Sequence, residues 1–102
     1  MYRLVVTELA HQDLDRILAY ISLRLANPMA AGDFLAEVEA RYSYLKSNPM
    51  MYEKCYDKRL EKEGLRKALI KNYVLVYKID DTSKTVSVMR FFYGAQDYLK
   101  LI

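Results

Sequence analysis

His11 is the chain's only histidine and Cys55 its only cysteine. A single cysteine closes no intrachain disulfide and builds no cysteine zinc cluster, and a single histidine argues against catalytic zinc. No cofactor or metal is implied. His11 falls near the start of the first helical segment and reads as an exposed helix residue. Cys55 has no histidine motif beside it and reads as structural or incidental. Chemistry is left to cations and phenols, of which the 102 residues hold 16 Lys and Arg and 10 Tyr. The cations are unevenly placed: residues 1–53 carry 5 basic and 7 acidic side chains, and residues 54–102 carry 11 basic and 6 acidic. A C-terminal half at +5 beside an N-terminal half at −2 suits a polyanionic partner, either nucleic acid or an acidic protein segment. The tyrosines, including Tyr42, Tyr44, Tyr52 and Tyr56, are explained by core packing and a partner interface more cheaply than by nucleotide stacking.

The elements that carry these groups fit one domain spanning residues 1–102. Hydrophobic residues make up 53% of the chain and charged ones 28%, with three Gly and two Pro, a composition that can bury a core and is not that of a disordered tail. The apolar start at residues 1–7 is cut short by Glu8 and cannot form a signal-peptide core. No run approaches the roughly 18 apolar residues of a membrane span. The sequence therefore predicts a cytoplasmic protein without membrane contact.

Residues 2–6 are strand formers, and Thr7 is placed to cap a helix whose first turn holds Glu8. Leu14, Ile17, Leu18, Ile21 and Leu25 then recur at helical spacing, with Asp13, Asp15, Arg16 and Arg24 read as lying off the stripe, which predicts a helix of about five turns. Asn27-Pro28 stops that helix and starts another, because the residue before proline avoids the α region while proline suits the first helical position. Ala31, Phe34, Leu35, Val38, Tyr42 and Leu45 continue the second stripe until Asn48-Pro49, so the pair predicts an antiparallel helix hairpin. Residues 50–63 are lysine-rich and read as a loop with a turn of helix. Beyond Gly64, segments at 65–71, 73–79 and 85–93 predict an antiparallel meander, with residues 80–84 as its second turn. In the last segment Val86, Val88, Arg90 and Phe92 alternate with Ser87, Met89, Phe91 and Tyr93, so both faces should touch something. Residues 95–102 add a short terminal helix or strand.

This α+β order, an N-terminal strand, a two-helix hairpin and a three-stranded meander joining one sheet, resembles the RelE/ParE superfamily of bacterial toxins along nearly the whole chain. Ala10-x-x-Asp13-Leu14-x-x-Ile17-x-x-Tyr20-Ile21 is similar to its first helix. Pro28-x-Ala30-Ala31-x-x-Phe34 and Leu45-x-x-Asn48-Pro49 are similar to the two ends of its second. Gly64-Leu65-Arg66-Lys67, Tyr73-Val74-Leu75-Val76-Tyr77 and Val86-x-Val88-x-Arg90-x-Phe92-Tyr93-Gly94-x-x-Asp97 resemble its three later strands.

The resemblance implies the toxin of a type II toxin–antitoxin module, of the plasmid-stabilisation kind, neutralised by a cognate acidic antitoxin that wraps it; operator DNA would be bound through the antitoxin. ParE-like members arrest growth by inhibiting DNA gyrase, and RelE-like members cut mRNA on the ribosome. A nuclease would draw its catalytic groups from Arg66, Lys67, Arg90 and Tyr93: metal-free RNA cleavage must activate a 2′-hydroxyl, neutralise the phosphorane and protonate the leaving oxygen. Adjacent Arg66 and Lys67 would point to opposite faces of a strand, and Arg90 would share a face with Phe92. Nuclease members commonly carry arginine where this chain has Val74, and some carry histidine where it has Phe92. Tyr93, with an ordinary pKa near 10, would need cationic neighbours to act as a base. These departures favour the gyrase-binding mode, with the ribosome-dependent endoribonuclease as the alternative and an inactive binding protein on the same fold as a third reading.

Overall fold

The fold is taken from a computed structural model, and the structure describes residues 1–52 and 64–94. Cys55, Tyr56, Asp97, most of the 50–63 loop and the expected element at 95–102 lie outside the described residues. β1 spans Arg3–Val6, α1 Glu8–Ala19 with a π-helical turn at Tyr20–Arg24, and α2 Pro28–Ser47. A 3₁₀ turn at Pro49–Met51 follows, then β2 (Leu65–Ile70), β3 (Tyr73–Asp80) and β4 (Thr85–Tyr93). No helix among the described residues is long and apolar enough to cross a membrane.

The predicted Thr7 cap forms, its Oγ1 accepting from the Ala10 amide, and Asn27, read from the sequence only as a stop before Pro28, also caps, its Oδ1 accepting from the Ala30 amide; each satisfies a donor that the first helical turn leaves open. From the first stripe Leu14 and Ile17 are buried and Leu18 and Ile21 partly so, but Leu25 is exposed. The π turn is the reason: its wider winding takes up extra residues per turn and rotates Leu25 off the buried side. Ala26, at φ 50°, then reverses the chain.

The sheet runs β1-β4-β3-β2, with β1 parallel to β4 and the other pairs antiparallel. The β2–β3 turn holds Lys71 at φ 54°, and Gly94 closes on it, donating to the Asn72 carbonyl at 2.7 Å. A Cβ at Gly94 would meet that oxygen at 3.0 Å, so the approach suits a residue without one. In the β3–β4 turn Asp80 Oδ1 accepts from the Thr82 and Ser83 amides, and the Ser83 hydrogen bonds hold its carboxyl below the ordinary value.

Both helices lie on one face of the sheet. Ala10, Leu14, Ile17, Phe34, Val38 and Leu45 meet Ala68, Ile70, Leu75, Tyr77, Val86, Val88 and Phe91 there. A second buried cluster, Leu65, Val74, Val76 and Phe92 with Met89 against it, occupies the other face. The plain alternation expected of β4 does not hold along its length. The register slips between Val76 and Tyr77, which face Arg90 and Val88, so Met89 is an extra residue. The bulge turns Phe91 to the helices together with Val86 and Val88, and sends Phe92 to the far face.

Tyr42 packs its ring against the main core, while its buried hydroxyl has no hydrogen-bond partner among the described residues. Burial pushes its pKa from 10.0 up to about 12. Removing an unsatisfied hydroxyl removes a desolvation cost, so Tyr42→Phe should leave stability unchanged or raise it by up to about 1 kcal/mol. Because the folded pKa is the higher one, stability is intact below about pH 10 and falls as pH rises through about 12. Urea titrations at a series of alkaline pH values should show that decline in the parent and a shallower one in Tyr42→Phe; equal slopes would refute the assignment.

Candidate functional site

β1 has four residues and β4 has nine, so β4 runs on past the end of its neighbour. The chain leaving β1 supplies what a longer strand would have supplied. The Thr7 amide donates to the Val88 carbonyl at 3.1 Å, and the Thr7 hydroxyl donates to the Met89 carbonyl at 2.9 Å. Nearly two turns further along α1, Asp13 Oδ2 accepts from the Phe91 amide at 3.0 Å. Helix α1 thereby caps the open edge of β4 with side chains.

Asp13 is only 5% exposed and holds more than that amide. Arg90 Nε donates to its Oδ2 at 2.7 Å and Arg90 Nη2 to its Oδ1 at 3.0 Å, a two-pronged guanidinium–carboxylate pair. The hydrogen bonds it donates to Asp13 raise the Arg90 pKa further. Across the strand the Arg90 guanidinium lies over the Phe92 ring, 4.8 Å from its centroid. Arg90 is therefore fixed from two sides, and it shares a face with Phe92.

Asp13 does not lie off the apolar stripe, as the sequence had suggested, but within the buried face of α1. Ala10, Asp13, Leu14 and Ile17 are the four buried residues of α1, at spacings of three, one and three. That spacing is itself the signal, since it puts an acid in the middle of the buried face and so demands a cationic partner elsewhere in the chain.

The other expected site residues are spread over the sheet. Lys67 and Arg90 both lie opposite Val76, one on each side of β3, about 10 Å apart at the usual ~4.8 Å strand spacing. Arg66 faces Tyr77, which belongs to the helix side, and its Nη1 donates to the Tyr52 carbonyl at 2.7 Å. Tyr93 faces Tyr73, four residues from Tyr77 along β3, or about 13 Å at ~3.3 Å per residue. Its ring stands edge-on to Tyr73, which stands edge-on to Phe34 of α2. Together with Tyr20 and Lys71 they line a cleft of about 660 Å³ at the end of the helix hairpin. Burial raises the Tyr73 pKa, with smaller contributions from Tyr20 and Tyr93. Lys67 and Arg90 thus share a row, Arg66 lies on the other side of the sheet, and Tyr93 stands in an aromatic row at its end. At the two departures, Val74 is 4% and Phe92 3% exposed, both inside the second apolar cluster. His11 is exposed on α1.

With this geometry in place, comparison with known proteins identifies the chain's relatives. A family model described as the ParE toxin of type II toxin-antitoxin system, parDE, matches residues 4–98. The chain belongs to the ParE toxin family. It is a toxin of a type II toxin–antitoxin system, within the RelE/ParE superfamily. Among solved structures, the ParDE system of P. aeruginosa holds a similar chain, with TM-score 0.68 and 18% identity over 91% of this chain and 96% of that one. The toxin–antitoxin complex RelBE2 from Mycobacterium tuberculosis is similar at TM-score 0.64 and 24% identity, over 90% and 96%. YafQ from E. coli shares the fold at TM-score 0.61 and 15% identity, over 93% and 96%. Direct comparison with curated protein sequences finds no match.

The Asp13–Arg90 pair of this ParE-family toxin sets a measurable expectation. Removing Arg90 leaves the buried Asp13 carboxylate without its two-pronged partner, which costs about 3–5 kcal/mol, whereas removing Asp13 leaves a guanidinium that is 24% exposed and can turn to water. Arg90→Ala should lower the unfolding free energy in urea by about that much and Asp13→Ala by less, and the double variant should lose clearly less than the sum. Additive losses would show that the two side chains act independently.

Proposed function

We propose that this toxin arrests growth by binding and inhibiting DNA gyrase, and that a cognate acidic antitoxin neutralises it. The observation that carries the reading is the engagement of Arg90. Its Nε and Nη2 are bonded to Asp13, at 2.7 and 3.0 Å, so a scissile phosphate would have to displace a buried carboxylate to be clamped on that edge of the guanidinium. The two positions at which nuclease members of the superfamily bring charge hold buried, uncharged Val74 and Phe92, which stabilise no developing oxyanion. Tyr93 is ranked with Tyr73 and Phe34 on the helix side, away from Lys67 and Arg90, so a phenolic acid or base and a pair of cations do not meet around one phosphodiester. Membership of the ParE toxin family points the same way.

The antitoxin partner is supported by the assemblies in which relatives were solved, a ParDE system and a RelBE2 complex. The excess of 11 basic over 6 acidic side chains in residues 54–102 suits an acidic partner.

The test runs on two arms. Purified toxin should inhibit supercoiling of relaxed plasmid by gyrase in proportion to its concentration, and primer extension on translated mRNA after induction should show no new ends. Codon-positioned cleavage that disappears in Arg90→Ala would replace this reading with the nuclease. Normal growth on induction of the chain alone would mark an inactive member of the fold.

A further inference from the structure

The helix hairpin ends in apolar side chains that the core does not use. Tyr20 is 47% exposed, Leu23 77%, Leu25 56% and Met29 78%, all along the turn that joins α1 to α2. Apolar surface grouped in this way marks a contact site. Beside it opens the cleft of about 660 Å³, walled by Tyr20, Ile21, Leu25 and Phe34 from the hairpin and by Lys71 and Tyr73 from the sheet. A mainly apolar concavity with a few polar groups at its rim suits the anchoring of a partner's side chain.

Both walls depend on irregular backbone. The π turn puts Tyr20 and Ile21 on the cleft and delivers Leu25 there instead of to the core. Insertions of this kind recur at functional sites. Ala26 stands at φ 50° just beyond the turn, and Lys71 at φ 54° on the sheet side. Residues with a Cβ enter this region only against steric resistance, and they gather where a ligand is held. The Gly94 amide donates to the Asn72 carbonyl at 2.7 Å, which fixes the sheet-side rim.

Charge separates the two partners proposed above. Residues 1–53, which supply the hairpin, carry 5 basic and 7 acidic side chains, and residues 54–102 carry 11 and 6. An acidic antitoxin finds its electrostatic complement in the second set and none in the hairpin. The apolar end of the hairpin is left for the target. Among the described residues that line the cleft Lys71 alone is charged, so the group it takes is apolar with one acceptor beside it.

The geometry points to this cleft as the surface that grips gyrase: an apolar or aromatic side chain of the target enters between Tyr20, Leu25 and Tyr73, and a carboxylate next to it meets Lys71. The inference rests on the gyrase reading above. Leu23 and Met29 beside the cleft exclude water from the contact, as the rim of a hot spot does.

Supercoiling by purified gyrase tests this on the intact toxin. Tyr20→Ala, Leu25→Glu and Lys71→Glu should each raise the concentration that halves supercoiling by about tenfold or more, while copurifying with the antitoxin and keeping the parent's unfolding midpoint in urea. Tyr44→Ala removes a comparably exposed aromatic from the other end of α2 and should inhibit as the parent does. A footprint on the unaltered chain does not depend on how any variant folds: gyrase should slow acetylation of Lys71 about tenfold, as burial in an interface requires, and leave that of Lys84, in the turn at the other end of β3, unchanged. Toxin that inhibits gyrase with Lys71 unprotected, and with the three variants as potent as the parent, overturns this surface and leaves the gyrase reading intact. Folded variants that lose the antitoxin as well as inhibition also overturn it, because the cleft is then the antitoxin's. Toxin that does not inhibit gyrase overturns both.

Discussion

The open edge of β4 is the constraint around which this molecule is organised. A sheet whose first strand has four residues and whose central partner has nine leaves main-chain groups that must find donors and acceptors elsewhere. Thr7 and Asp13 supply them from the helix that follows β1. The Thr7 hydroxyl caps α1 by accepting from Ala10 and seals β4 by donating to Met89, so one side chain fixes both the start of the helix and its position along the strand. Asp13 does the corresponding work further along the helix, and its charge brings Arg90 into the arrangement.

The bulge at Met89 belongs to the same arrangement. Without the extra residue, β4 would keep Arg90 on the side of Val86 and Val88, beneath the helices, where a guanidinium has no place among buried aliphatic chains. With it, Arg90 emerges over Phe92 and reaches round the strand edge to Asp13, while Phe91 takes the core position. A buried ion pair of this kind is weak evidence for net stability, since two desolvated charges offset much of their own attraction. Its effect is to fix register: shifting α1 along the sheet by one residue would strand a carboxylate and a guanidinium at once.

Much of this fold was legible in the sequence, for reasons that can be named. Thr7, Asn27-Pro28 and Asn48-Pro49 mark helix ends by local chemistry, and Phe34, Val38 and Leu45 repeat at a spacing that only a helix buries on one side. The strands after Gly64 were legible from their β-branched and aromatic runs. What was hidden depends on contacts between distant residues. Asp13 and Arg90 are separated by 77 positions, and neither carries a local mark of its partner. The π turn and the bulge each insert one residue into an otherwise regular pattern, and from periodicity alone such an insertion cannot be told from an ordinary polar interruption. The candidate cations were identifiable as charges, but their distribution over the two faces follows from the register of β2 and β4 on β3.

The two edges of the sheet's larger strands are consequently treated in opposite ways. Beyond β1, β4 is closed by the chain itself, through Thr7 and a carboxylate that never leaves the protein. On the far side β2 is approached at Leu69 by an arginine from α2. An arginine paired with a half-exposed glutamate can be drawn to another acid at modest cost, whereas the buried Asp13 cannot be exchanged for an outside group without stranding Arg90. Asp13 and Arg90 therefore fix α1 on β4 from inside the protein, whereas the Arg41–Glu37 pair beside β2 stands at the surface.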